Sequence, residues 1–135
     1  MQVFDNKFET VNFLENIQLF EAIWKKESEN MVDKDYRNEI EKQFAFIATK
    51  KVRFVLFETH DFYFTIEPDT QAWNNEIIVK HFHEAGVEKA AIVLAQNIFS
   101  EMSVQQTMEE TSQVNFVTRS FGTKEDAMAW FTEKA

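Results

Sequence analysis

The spacing of apolar residues changes from strand-like to helix-like at Asp33, and this change restricts the chain to folds that contain both kinds of element. Before it, the segments Phe8–Phe13 and Ile17–Trp24 mix Phe, Val and Ile with polar alternates, as strands half-buried on one face do. They predict a hairpin with a short turn at Glu15 and Asn16.

After Asp33, four apolar residues recur at helical spacing and fall on about a quarter of the helical wheel. They are Tyr36, Ile40, Phe44 and Ile47. Asp33 is the expected N-cap of this helix, because a short carboxylate can accept hydrogen bonds from the first free backbone N–H groups.

Strands and helices alternate through the rest of the chain. The segments typical of buried strands are Val52–Phe57, Lys89–Leu94 and Val114–Phe121. Pro68 suits the first turn of a helix, because its fixed φ and missing N–H are tolerated there. That helix is expected to run to about Ala85 and to end at Gly86.

Two further helices are predicted from the residues that begin them. Ser103 with Gln106, and Thr123 with Asp126, have the spacing of a capping box. We expect large apolar residues from several elements to share one core. They are Trp73, Ile77, Ile92, Phe116, Trp130 and Phe131.

The order of the predicted elements is β-β-α-β-α-β-α-β-α. Strands separated by a helix join in parallel through right-handed crossovers, whereas a tight hairpin joins antiparallel strands. We therefore expect one α/β domain over residues 1–135, with a mixed sheet of about five strands of which the first is antiparallel.

The composition narrows the class of protein. The chain has no Cys, which fits a reducing compartment and removes disulfides, thiolate zinc sites and cysteine nucleophiles. Met1–Thr10 has no apolar region typical of a signal peptide, and the longest purely apolar run, Ala90–Ala95, is far too short to cross a membrane. We expect a soluble, cytoplasmic protein.

The net charge of -9 at pH 7 bears on the partners. Nucleic-acid phosphates are bound chiefly by Lys and Arg, and anionic lipid surfaces repel an acidic chain. We expect neither nucleic acid nor membrane among the partners, and we interpret the charge as keeping an aromatic-rich chain in solution.

Residues from about Val52 to Phe131 resemble the STAS-like, SpoIIAA-like bacterial domains, whereas the earlier residues agree only in element order. The matching residues are Glu58-Thr59-His60-Asp61-Phe62, Pro68-Asp69 with Trp73, Ala85-Gly86 before Ala90-Ala91-Ile92-Val93, Phe99, Met102-Ser103-Val104, Arg119 with Phe121, and Ala127 with Trp130-Phe131. The resemblance implies a STAS-like fold with the helices mainly on one face of the sheet, and it implies no known activity. The phosphorylatable Asp-Ser motif of related anti-sigma-factor antagonists has no counterpart here, because Thr59-His60-Asp61-Phe62 contains no Ser.

Polar residues lie at or near the ends of three predicted parallel strands. Thr59, His60 and Asp61 follow the first, Asn97 follows the second, and Arg119 lies near the end of the last. Because open α/β sheets bind ligands outside the carboxyl ends of their strands, these five residues are the candidate ligand site. Simpler interpretations are a surface-loop histidine for His60, a helix cap or turn for Asn97 and an internal ion pair for Arg119.

The connection after these residues contains the apolar run Phe62, Tyr63 and Phe64. Connections usually run over the surface and carry polar residues. Such a run either folds back over the core, contacts another subunit or forms the lid of an apolar pocket.

No catalytic constellation is present in the sequence. The Ser residues include no nucleophile elbow, and His81 and His83 point to opposite sides of a helix, so we expect no enzyme activity, no metal and no cofactor. We expect a non-enzymatic binding or protein-interaction module, or alternatively a carrier of a small apolar or lipid-like ligand. Apolar residues on both faces of the first hairpin further suggest a homodimer.

Overall fold

A computed structural model describes residues 1–95 and 116–133 of the chain. Its six strands lie in one sheet in sequence order. They are β1 (Gln2–Asp5), β2 (Glu9–Leu14), β3 (Leu19–Trp24), β4 (Phe54–Glu58), β5 (Lys89–Val93) and β6 (Val117–Phe121). The α-helices are α1 (Asp33–Ile47), α2 (Pro68–Ala85) and α3 (Lys124–Phe131), and a 3-10 helix spans Lys26–Asn30.

The sheet is mixed, and its general α/β class confirms the class expected from the sequence. Strands β1, β2 and β3 pair antiparallel, whereas β3, β4, β5 and β6 pair in parallel. The expected number of about five strands omitted β1, so two strands, not one, precede the parallel part. Strand β1 is only four residues long and its register with β2 shifts between Gln2 and Phe4, which leaves too short an alternating pattern to detect.

Successive residues of each strand point to opposite faces of the sheet, and each face has its own core. In β4, Val55 packs into a first core beneath α1 and α2, whereas Phe54 and Leu56 pack into a second core against α3. The expectation of a single core was therefore wrong. Phe116, Trp73 and Ile77 belong to the first core, and Trp130 and Phe131 belong to the second, on the opposite face.

Two of the three described α-helices cover the first face, and α3 covers the second. This placement agrees with helices mainly on one face, but it assigns the last helix to the other side. Right-handed crossovers bring α1 and α2 to one face because each joins two parallel strands, whereas α3 follows β6 and is free to fold back beneath the sheet.

Most of the helix ends that the sequence predicts are found at the predicted residues. Pro68 is at the start of α2, Gly86 ends it with a φ of 85°, and Thr123 Oγ1 accepts from the Asp126 N–H at 3.2 Å. The expectation that Asp33 caps α1 was wrong: the Val32 N–H donates to the Asp35 carboxylate at 3.0 Å. Asp33 instead accepts from Arg37 at 2.8 Å and from the Thr70 hydroxyl.

The predicted helix at Ser103 and Gln106, and the candidate site residue Asn97, lie outside the described residues. Across residues 1–95 and 116–133, no helix combines the length and the apolar character that a membrane crossing requires.

Candidate functional site

The three polar residues that follow β4 diverge. Thr59 turns back to β5, where its N–H and its hydroxyl both donate to the Val93 carbonyl, at 2.8 and 2.9 Å. Thr59 also lines a cavity on the first face of the sheet. His60 lines a cleft of about 480 Å³ that it shares with Glu58, Thr123 and Lys124.

The cleft at His60, here called the polar cleft, is lined by charged and titratable side chains, two of which have partners in the chain. The His60 imidazole lies between two carboxylates, with Nδ1 3.4 Å from Glu58 Oε1 and Nε2 3.3 Å from Asp61 Oδ2. Lys124 Nζ lies 2.6 Å from Glu21 Oε2. The hydrogen bond to Glu21 raises the pKa of Lys124, against an opposing effect of burial. Glu125 also lines the cleft, so its carboxylates outnumber its cations and it carries no surplus positive charge for an anionic ligand.

Asp61 and Arg119 line neither the polar cleft at His60 nor the cavity at Thr59. Asp61 holds a connection in place, since its backbone carbonyl accepts from the Ser28 hydroxyl at 3.2 Å. Arg119 pairs with Ala91 and lies in the middle of the edge strand β6 rather than at the carboxyl end of that strand. It is exposed, and its guanidinium lies 5.7 Å from the Phe121 ring.

The apolar run after β4 folds back onto the first core, which is one of the three interpretations considered. Phe62 makes an edge-to-face contact with Trp24 at 4.9 Å, and Phe64 stacks on Tyr36 at 5.4 Å. Tyr63, between them, points outward with 53% of its surface exposed. Buried Ser28 fixes the turn, because its hydroxyl also accepts from the Tyr63 N–H at 2.9 Å.

Between this run, α1, α2 and the sheet lies a cavity of about 580 Å³, here called the aromatic cavity. Its aromatic lining residues are Trp24, Tyr36, Phe44, Phe57, Phe62 and Phe116. Its aliphatic lining residues are Ile40, Ile66, Ile78, Val79 and Ile92. Phe62 therefore closes one wall of a largely apolar space as well as contacting the core.

The polar lining of the aromatic cavity consists of amides and hydroxyls. They are Gln43, Thr59, Gln71, Asn74, Asn75 and Thr118. Two of these side chains have a buried oxygen without a hydrogen-bond partner in the described part of the chain, namely Oε1 of Gln43 and Oδ1 of Asn74. Buried polar atoms are nearly always paired, so these two oxygens require an explanation.

Gln43 connects the cavity to a buried pair of carboxyl groups. Its amide nitrogen donates to Glu9 Oε1 at 2.8 Å. Burial, and then the neighbouring Glu39 carboxyl, raises the pKa of Glu9 to about 9. Burial, and then the Glu9 charge, raises the pKa of Tyr36 as well.

Sequence reasoning missed Gln43, Asn74 and Glu9. A signal for Gln43 was available, because it lies three residues after Ile40 and four before Ile47, on the apolar face of α1. A polar residue at such a position predicts a buried group with a specific partner. Asn74 gave no comparable signal, since it is adjacent to Asn75 on a largely polar stretch.

A homodimer was expected because the first hairpin has apolar residues on both faces, but most of these residues are buried within the chain itself. Phe8, Val11, Phe13 and Trp24 are buried in the first core, and Leu19 is buried in the second. Self-association stays a prediction, and light scattering tests it: a homodimer has twice the 16.0 kDa mass of the chain, and a single-chain mass at micromolar concentration contradicts it.

No group of three or more His, Asp or Glu side chains in the described segments could hold a metal ion. Comparison with known proteins gave no matching family model, no matching curated protein and no matching solved structure.

Proposed function

We propose that this protein is a non-enzymatic binding module whose ligand is a small, largely apolar or lipid-like molecule held in the aromatic cavity. The observation that carries the proposal is a cavity of about 580 Å³ lined by aromatic and aliphatic side chains, and two of its polar lining residues have a buried oxygen without a partner among residues 1–95 and 116–133. Small-molecule sites have this character: they measure about 300–1,000 Å³ and are mostly apolar, with a few polar groups that orient the ligand.

The energetics favour an occupant. An apolar ligand would gain about 25 cal/mol for each Å² of apolar surface removed from water. The position supports the proposal as well, since Phe57, Thr59 and Ile92 lie at the carboxyl ends of parallel strands, where open α/β sheets bind ligands.

We also propose that the fold is STAS-like. Support comes from the order of elements, in which antiparallel strands precede α1, β4, α2 and β5, and from the two helices that share one face. This assignment adds no activity to the proposal, which concerns binding alone.

Native mass spectrometry of the protein as purified tests the proposal first. We expect a mass above that of the chain, which falls to the chain mass when the protein is denatured and releases an organic molecule. A titration of ligand-free protein with naphthol, followed by calorimetry, tests it with a defined probe and should show one site per chain.

A substitution that fills the aromatic cavity is the decisive test. Ile78→Trp places an indole in the aromatic cavity from α2 and should abolish naphthol binding while the protein stays folded. Ile23→Trp is the matched control and should bind naphthol normally, because Ile23 lies on β3 between Ala22 and Trp24 of the first core and therefore points to the opposite face. Binding that survives in Ile78→Trp, or that is absent from the parent protein, would contradict the proposal.

A further inference from the structure

Two residues that line the aromatic cavity each carry a buried oxygen for which the described residues supply no hydrogen-bond donor. Gln43 is fully buried, and its amide nitrogen is already used by Glu9, so its amide oxygen is the polar atom that remains. Asn74, on α2, is 9% exposed and its Oδ1 is likewise unpartnered among the described residues. One acceptor comes from each helix that forms the cavity.

The other polar lining residues do not supply a charge. The cavity is lined in its described part by uncharged side chains only, and burial keeps the Tyr36 hydroxyl protonated by raising its pKa. Behind Gln43 lie the Glu9 and Glu39 carboxyl groups, which contribute negative rather than positive potential. A carboxylate brought into this space would lose its hydration and find no cation to replace it.

We infer, building on the proposed function, that the aromatic cavity selects neutral ligands whose polar end is a hydroxyl or N–H donor, received by Gln43 Oε1 and Asn74 Oδ1. The ligand class is therefore an apolar alcohol, phenol or amide, and a fatty-acid carboxylate is rejected. Sites built to pair with a polar group discriminate strongly against analogues that lack it, because the buried partner is then left unsatisfied.

Three probes with the same ring system and substitution position separate these cases. Naphthol offers a hydroxyl donor, methoxynaphthalene keeps the oxygen but loses the donor, and naphthoate carries a negative charge. By calorimetry on the whole protein, naphthol should bind about tenfold more tightly than methoxynaphthalene, the loss of about one hydrogen bond. Naphthoate should bind most weakly.

Asn74→Leu keeps the volume of the side chain and removes the acceptor. Its affinity for naphthol should fall about tenfold, whereas its affinity for methoxynaphthalene should not fall. Its melting temperature without ligand should rise, because a buried oxygen without a donor is no longer present. Asn38→Leu, on an exposed position of α1, is the matched control and should alter neither affinity.

The outcomes separate this inference from the function on which it rests. Equal affinity for naphthol and methoxynaphthalene, or tightest binding of naphthoate, would overturn the donor requirement and leave an apolar binding module. Failure of all three probes to bind would overturn both. Since the probe series is measured on the parent protein, the inference stays testable even if Asn74→Leu does not fold.

Discussion

Glu9 of β2 is fully buried and accepts a hydrogen bond from the side-chain amide nitrogen of Gln43 of α1, at 2.8 Å. Burial, and then the neighbouring Glu39 carboxyl, raises the pKa of Glu9 to about 9. Glu9 therefore keeps its proton at neutral pH, because desolvation disfavours the charged form of a buried carboxyl group. Glu39 itself accepts from Asn6 at 2.8 Å and from Lys42 at 3.1 Å.

The raised pKa of Glu9 predicts that the protein loses stability as pH rises through neutrality. Glu9 has a pKa of about 9 in the folded chain against an ordinary value of 4.5. Between these values the folded protein holds a proton that the unfolded chain has released, so the free energy of unfolding falls as pH rises. The contribution is fully present below the lower value and is lost by the upper one, with a slope of at most about 1.4 kcal/mol per pH unit.

Glu9→Gln tests this prediction, because an amide keeps the size of the side chain and does not ionise. In urea denaturation, its free energy of unfolding should vary less between about pH 5 and pH 9 than that of the parent protein, and it should be the more stable protein at the alkaline end. Glu41→Gln makes the same change at an exposed position of α1 and should keep the parental slope. Parallel curves for the parent and Glu9→Gln would show that Glu9 is ionised in the fold.

The second core should be essential to stability. Trp130 is 8% exposed and its ring lies 5.4 Å from Phe121 and 5.8 Å from Phe131, with Lys89 Nζ 5.0 Å from it on the other side. Trp130→Ala should lower the free energy of unfolding by about 3–5 kcal/mol. Met128→Ala, on the same helix but only partly buried, should lower it less. A Trp130→Ala melting temperature within a few degrees of the parent would show that α3 does not pack as described.

Ser28 should control the wall of the aromatic cavity that Phe62 forms. Its buried hydroxyl donates to Asp61 O and accepts from Tyr63 N, so Ser28→Ala removes both bonds and leaves a buried donor and acceptor. We expect about 1–3 kcal/mol less stability and faster release of naphthol in stopped-flow measurements. Thr65→Ala changes an exposed residue of the same connection and is the control. Unchanged release from Ser28→Ala would separate this connection from the site.

The sequence predicted the elements well where local chemistry decides them. Pro68, Gly86 and Thr123 mark helix ends, and each acts where it was expected to act. The sequence did not predict β1, because that strand is stabilised by pairing with β2 and not by its own pattern. It also did not predict that Trp73 and Trp130 belong to different cores, because periodicity does not say which face of the sheet a terminal helix covers.

The candidate site was predicted only in its location. Thr59 does lie at the carboxyl edge and does line the aromatic cavity, but His60 faces the opposite side of the sheet. Consecutive residues at a strand end diverge, and the sequence does not state which of them will share a cavity with helix residues such as Gln43 and Asn74. Those two are separated from Thr59 in the chain and are brought to it only by the packing of α1 and α2.

The most direct test of the binding proposal is a methyl spectrum of isotope-labelled isoleucines, recorded while naphthol is added to ligand-free protein. Four assigned isoleucines line the aromatic cavity and should shift with a common saturation curve: Ile40, Ile66, Ile78 and Ile92. Ile17 packs against the second core and Ile23 pairs with Thr10 on β2. Because neither residue lines the cavity, their methyl signals should not shift. Shifts confined to Ile17 and Ile23, or no shifts at saturating naphthol, would contradict a ligand site between the two helices and the sheet.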